Sequence, residues 1–357
     1  MYKKILLFGV ILASIPTVSP AQDQPPKHYP WDRRPNKCFM AGAPSTGMCR
    51  AQSDWEEFTP TVEHLSSLIT DQEFDLLRRA EQEIGNSSTQ FPTGKYLFEA
   101  WDSALSRTVE DWGLRGAQIA EQWKLSGDDM GQLAQAYVRY GQAWSARGSG
   151  TANTVSPEGW QIFYQKLAEA NALLDSASVQ VRDGGTWYLL KLRIAYLDPK
   201  LSATRLPLID KAASRWPDCA SIYQAPMNQA RPIWGGNFEL VDAVARFAMQ
   251  RSQKKLGATF YAVAYLGIVG RDNITLKDTR VDWPLMKQAF RDTDAHHYGH
   301  RRLRKTYAEF ACQMRDRNEA LRLFTIYDQM PKSASEAATD DSDADACRKF
   351  ATDGTSI

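Results

Sequence analysis

His296, His297 and His300 crowd into five residues, and Asp292, His296 and His300 follow one another at intervals of four. That interval puts side chains on one helical face and lets two histidines reach a single zinc ion. No Glu follows His296 in the metalloprotease register, and Gly299 breaks the stretch between the histidines. The expectation is therefore a solvated helix start and no metal, with Asp292, His296 and His300 the set a metal would use. Three neighbour pairs, Trp101-Asp102, Asp111-Trp112 and Asp282-Trp283, hold the ingredients of a carbohydrate cleft. Rings there would stack sugars, while two carboxylates about 5 to 10 Å apart would act as acid and base. Asp111 and Asp282 are the carboxylates of that glycan-active alternative, a hydrolase or lyase on a stacked-helix barrel. The expectation for the same residues is aromatic packing between helices.

Two further patterns fail on their own terms. Asp341-Ser342-Asp343-Ala344-Asp345 opens like a calcium loop, but Ala346 stands where the turn glycine is needed and Thr352 where the bidentate Glu is needed. Gly148-Ser149-Gly150 opens like a dinucleotide loop, but Asn153 takes the third glycine position and no strand precedes it. No catalytic residue and no cofactor follows from these patterns.

Whatever such side chains do, helices must position them. Leu133, Tyr137, Tyr140, Gly141 and Trp144 share one helical face, as do Phe163, Leu167, Ala170 and Leu174. Trp187, Leu190, Ile194 and Leu197 repeat the spacing, then Leu240, Val244, Phe247 and Ala248. Between the runs stand breakers: Gly148-Ser149-Gly150, Asp183-Gly184-Gly185, Asp198-Pro199, Trp216-Pro217 and Trp234-Gly235-Gly236. Helices of ten to twenty residues joined by short turns predict an all-α fold of stacked antiparallel hairpins, a TPR-like solenoid. A test for a period near 34 residues gives a loose fit, best at Arg317 to Phe324, so any repeats are degenerate in sequence.

Residues 1–21 have the three parts of an export signal: Lys3 and Lys4, the apolar span Ile5 to Ile15, and the small-residue site Ser19-Pro20-Ala21. Removing them leaves 41 basic against 42 acidic residues, a net charge of −1. That balance excludes a dedicated nucleic-acid binder. No later segment reaches the roughly 20 apolar residues of a membrane span. The mature chain is expected in the periplasm or outside the cell. It divides into a Pro-rich lead-in (22–59), a helical-repeat domain (60–331) and an acidic tail (332–357), whose segment Lys332 to Ala346 reads as disordered or loosely tethered. The one basic cluster, Arg301, Arg302, Arg304 and Lys305, reads as the outward face of an amphipathic helix whose core stripe is Leu303, Tyr307, Phe310, Ala311 and Met314.

Five cysteines in an exported chain predict two bridges and one spare thiol. A Cys38–Cys49 bridge would stabilise by about 3 kcal/mol, and Cys312–Cys347, closing a longer loop, by about 4 kcal/mol. Cys219 is then a small buried hydrophobe.

Four stretches carry more than periodicity: Ala143-Trp144-Ser145-Ala146-Arg147-Gly148, the run Pro226 to Asn237, Asp282-Trp283-Pro284-Leu285-Met286, and Phe310-Ala311-Cys312 ahead of Arg317 to Phe324. On them, from about Leu133 to Asp328, the chain resembles an uncharacterised bacterial family of helical, TPR-like proteins, domain of unknown function forty thirty-four. The resemblance implies a stacked-helix fold and brings no activity with it. The residues read independently as a structural corner: Gly235 and Gly236 permit a tight turn, Trp234 anchors it, and Asn237 caps the next helix. Trp144, Arg147 and Gly148 belong with that motif. The function expected of the whole is a non-catalytic scaffold that binds an unknown protein or peptide.

Overall fold

The computed structural model describes residues 58–84, 88–91, 94–269, 271, 274–296, 298, 301–330 and 342–354. The export signal, Cys38, Cys49, His297 and His300 lie outside the described residues. Within them the chain is all helical, with no strand and one isolated bridge between Gln90 and Tyr96. The helices are α1 (Phe58–Thr70), α2 (Phe74–Ile84), α3 (Leu97–Leu105), α4 (Gly113–Leu125), α5 (Met130–Arg147), α6 (Pro157–Asp175), α7 (Val179–Arg182) and α8 (Gly185–Leu197). They continue as α9 (Arg205–Arg215), α10 (Ala220–Ala230), α11 (Phe238–Leu256), α12 (Thr259–Leu266), α13 (Trp283–Ala295), α14 (Arg301–Gln313), α15 (Arg317–Gln329) and α16 (Ser342–Asp353).

Short polar side chains start these helices. Ser156 accepts from the Gly159 amide ahead of α6, Asn237 from Leu240 ahead of α11, Asp282 from Leu285 ahead of α13, and Asp316 from Glu319 ahead of α15. Each satisfies an orphan donor and is worth about 1 kcal/mol. The most extensive packing is between neighbours in sequence: α4 on α5, α5 on α6, α11 on α12 and α14 on α15.

The apolar interior forms two clusters. The first runs from α1 to α12 and encloses Trp101 and Trp123 completely; the second runs from α10 to α16. Their boundary passes through single helices: in α10, Ala225 belongs to the first and Met227 to the second, and in α12 the same holds for Phe260 and Tyr261.

Three sequence expectations need correction. The stripe expected on α11 holds at Ala248 and in part at the half-buried Val244 and Phe247, but not at Leu240. Leu240 is exposed, whereas Val241, Ala245, Ala248, Ser252 and Leu256 face inward, because packing selects small side chains that hydrophobicity alone ranks low. Arg301 and Arg304 do not face solvent. Arg304 is wholly buried, donating to Asp294 (3.1 Å) and to the carbonyls of Thr293 (3.1 Å) and Tyr298, while Arg301 lies 3.4 Å over the Tyr327 ring and donates to its carbonyl. Finally, the tail is not loose from Ser342 onward. There α16 packs on α14 and α15, Cys347 pairs with Cys312 (Cα–Cα 5.8 Å), and Arg317 donates to the Ala351 carbonyl. Acidic composition hid the inward stripe of Cys347, Phe350 and Ala351, spaced as one helical face.

Candidate functional site

Trp144 and Arg147 lie one turn apart at the end of α5, and Gly148, at φ 73°, ends that helix. The chain then turns back into α6, where Gly159 brings the new helix close to the old: a Cβ there would sit 3.0 Å from the Ala146 carbonyl. Trp160 and Tyr164, spaced four apart on α6, stack at 5.8 Å. Far along the chain, Arg231 leads into a short 3₁₀ turn, Pro232–Trp234, followed by Gly235 in the left-handed region at φ 83°. Gly236 lies so close beneath α10 that a Cβ would meet the Ala230 carbonyl at 2.1 Å, and Asn237 then caps α11.

These two distant stretches meet. Trp234 approaches Trp144 edge to face at 6.1 Å, and the Arg147 guanidinium lies between three rings, 5.4 Å from Trp144, 5.6 Å from Trp160 and 5.2 Å from Trp234. Arg147 also donates to the carbonyls of Gly148 (3.0 Å) and Gly150 (2.9 Å), while its Nε is buried with no acceptor among the described residues. A cation over several ring faces is held by their quadrupoles, about 0.5 to 2 kcal/mol for each good contact. Tyr164, stacked on Trp160, is 37% exposed, and Ile233, next to Trp234 in the chain, is 57% exposed; Leu240, in the first turn of α11, is 49% exposed.

The residues singled out for chemistry are otherwise engaged. Asp282 caps α13 and pairs with Arg246 at 3.1 Å; the Leu285 amide and that guanidinium hold its carboxyl below the ordinary range. Asp111 lies on the surface, beside Trp112, whose ring stacks with Arg115 at 4.7 Å. Trp101 is fully buried, and Asp102 is buried with Tyr137 and Arg193 as its partners. Asp292 accepts from the Ala258 amide (2.6 Å) and from Gln288 (2.7 Å), which ties α13 to the turn between α11 and α12. His296 stands exposed just past the end of α13, so the helix that carries Asp292 stops short of it.

What the sequence reading missed is a polar interior in the first cluster. Glu99 accepts from Ser221 and from the Tyr96 amide (2.6 Å), and Asp218 accepts from Gln90 (2.8 Å), Lys255 (2.6 Å) and Tyr96. Glu110 ends a π-helical turn, Ser106–Glu110; burial pushes its carboxyl up to about 7, against the opposing pull of Ser106 and Arg193. Gly116 and Gly141 make room for that turn, since a Cβ on either would approach within 2.5 Å of the Val109 or Glu110 carbonyl. A glycine within each of two helices was the available signal.

No protein-family profile, curated protein or solved structure matches the chain.

Proposed function

We propose that the chain is a non-catalytic scaffold, a TPR-like stack of helix pairs that presents the aromatic corner around Arg147 to a protein or peptide segment. The observation that carries this reading is the convergence of Trp144, Trp160 and Trp234 on one arginine, with exposed Tyr164 stacked on Trp160 and exposed Ile233 next to Trp234 in the chain. Trp, Tyr and Arg supply most of the energy at protein interfaces. Rings already fixed against one another lose little entropy when a partner arrives. The stretches around Trp144 and Trp234 that carry the likeness to domain of unknown function forty thirty-four are the ones that meet here, which supports membership in that family.

A glycan-active reading finds less support, because Asp282 is spent on a helix cap and an ion pair. The N-terminal charged and apolar residues favour export, so the partner belongs to the envelope or the medium. Among the described residues no helix is long and apolar enough to cross a membrane.

The test is site-specific photocrosslinking in the exporting cell, with a photoreactive phenylalanine analogue at Tyr164. One dominant adduct is expected, and Ile233→Asp should remove it. Adducts that are absent, or that survive Ile233→Asp unchanged, would end this reading.

A further inference from the structure

A half-open cleft of about 260 Å³ lies between α10, α11 and α12, on the seam where the two apolar clusters meet. Tyr223 and Phe260 wall it from the first cluster, Met227 from the second, with Val263 alongside. Its rim carries two exposed polar side chains, Gln224 and Arg271. Protein interiors tolerate few voids larger than a water molecule, so a space of this size calls for a cause.

The cause is the choice of small residues. Ala220, Ala248 and Ala264 come from three different helices, and Gly267 closes the end of α12. Gly267 sits at φ −70°, ψ −16°, a conformation open to any residue, so backbone freedom does not explain it. A Cβ built there would lie 3.8 Å from Met227 Cγ and 4.0 Å from Gln224 Nε2, with the Ala264 carbonyl at 3.3 Å. Glycine at this position therefore keeps the cleft open, and any longer side chain would reach into it.

Charge chooses the occupant. Arg271 forms no ion pair and Gln224 no side-chain hydrogen bond with any described residue, while the Tyr223 hydroxyl is taken up by the Pro217 carbonyl. The free polar groups thus stand at the mouth and the apolar ones inside. Pockets that bind small molecules have this build, a mostly apolar lining with a few orienting polar groups, and 260 Å³ falls just below their usual range of about 300 to 1,000 Å³.

We infer that this seam cleft is a binding site for a small amphipathic carboxylate, its apolar chain between Tyr223, Met227 and Phe260 and its carboxylate toward Arg271 and Gln224. The inference is independent of the aromatic corner, with which the cleft shares no residue. An arginine offers a carboxylate two parallel donors, whereas an alcohol or an amine of the same chain length gains nothing comparable.

Calorimetric titration of the full chain with sodium octanoate tests it, with octan-1-ol and octylammonium as controls. Saturable binding of octanoate is expected, weaker for octanol and absent for octylammonium. Gly267→Leu should abolish saturation for octanoate and octanol alike. Should that variant fail to fold, Val263→Phe replaces it as the filling change. Arg271→Gln should lower octanoate affinity about fivefold and leave octanol unchanged, the loss appropriate to an exposed charge contact. Non-saturable octanoate binding, undiminished binding in the folded filled variant, or equal affinity for octylammonium would each overturn the proposal.

Discussion

In the first cluster the sealed charges, Lys191 apart, are carboxylates: Glu99, Asp102 and Asp218 among them, enclosed by Tyr96, Tyr137 and Ser221 with Arg193 and Lys255 as counter-ions. In the second cluster guanidiniums predominate, with Glu319 the exception: Arg304 is held by Asp294 and two carbonyls, and Arg301 is laid on the ring of Tyr327. A carboxyl can escape burial by keeping its proton, and burial raises both Glu81 and Glu99 in the first cluster. Arginine has no such escape near neutral pH, so it must be fully satisfied where it lies. The first half should therefore respond to pH, and the second to loss of individual partners or of its covalent tie.

The sharpest way to break this contrast is Arg304→Ala. It takes the buried partner from the Asp294 carboxylate, which keeps only the more exposed Arg322 at 3.2 Å, and removes the guanidinium donor from the Thr293 and Tyr298 carbonyls. Removing one side of a buried pair typically costs about 3 to 5 kcal/mol, and urea denaturation should register a loss in that range. A loss below about 1 kcal/mol would place Arg304 effectively in solvent and erase the contrast. Next comes reduction of Cys312–Cys347, which span 35 residues and tie α16 to α14. Constraint of the unfolded chain predicts a cost of about 4 kcal/mol, and thiol reagents should reach Cys347 well before the buried Cys219. Simultaneous labelling of both thiols would show that the halves open together.

The same contrast explains what the sequence disclosed. The stripes on α5 and α6 were legible because large apolar residues, Leu133, Tyr137, Phe163 and Leu167, recur on one face and every one of them is buried. On α11 the inward residues include Ala245 and Ser252, whose small size suits close packing and is invisible to a hydrophobicity pattern. Arg301 and Arg304 misled for a related reason: periodicity assigns charges to the outside, and only tertiary partners such as Asp294 and Tyr327 can reverse that. At the candidate site, Trp234 and Asn237 could be marked as a corner from their types, and Trp144 and Arg147 through the stretch that carries the family likeness. Trp160 could not, because nothing local says that a ring on α6 completes a cage with residues over 70 positions away.

The smallest of these effects gives the cleanest test of the pH side. Glu110 has its folded carboxyl near 7, above the ordinary 4.5, so the folded protein holds that proton more tightly than the unfolded chain does. The associated stabilisation is complete below about pH 4.5 and is lost as pH rises through 7. Gln at this position mimics the protonated form and can still accept from Ser106, which donates to Glu110 at 2.9 Å. Glu110→Gln should therefore match the natural chain near pH 4.5 and exceed its stability by about 2 kcal/mol at pH 8.5, a figure below the full linkage value because the side chain is only partly buried. Other raised carboxyls, Glu81 and Glu99, add their own slope to both proteins, so the difference between the two melting curves across pH isolates Glu110. A difference that is flat from pH 4.5 to 8.5, or that grows toward acid, would mean that Arg193 outweighs burial and that the first half stores its charge as the second half does.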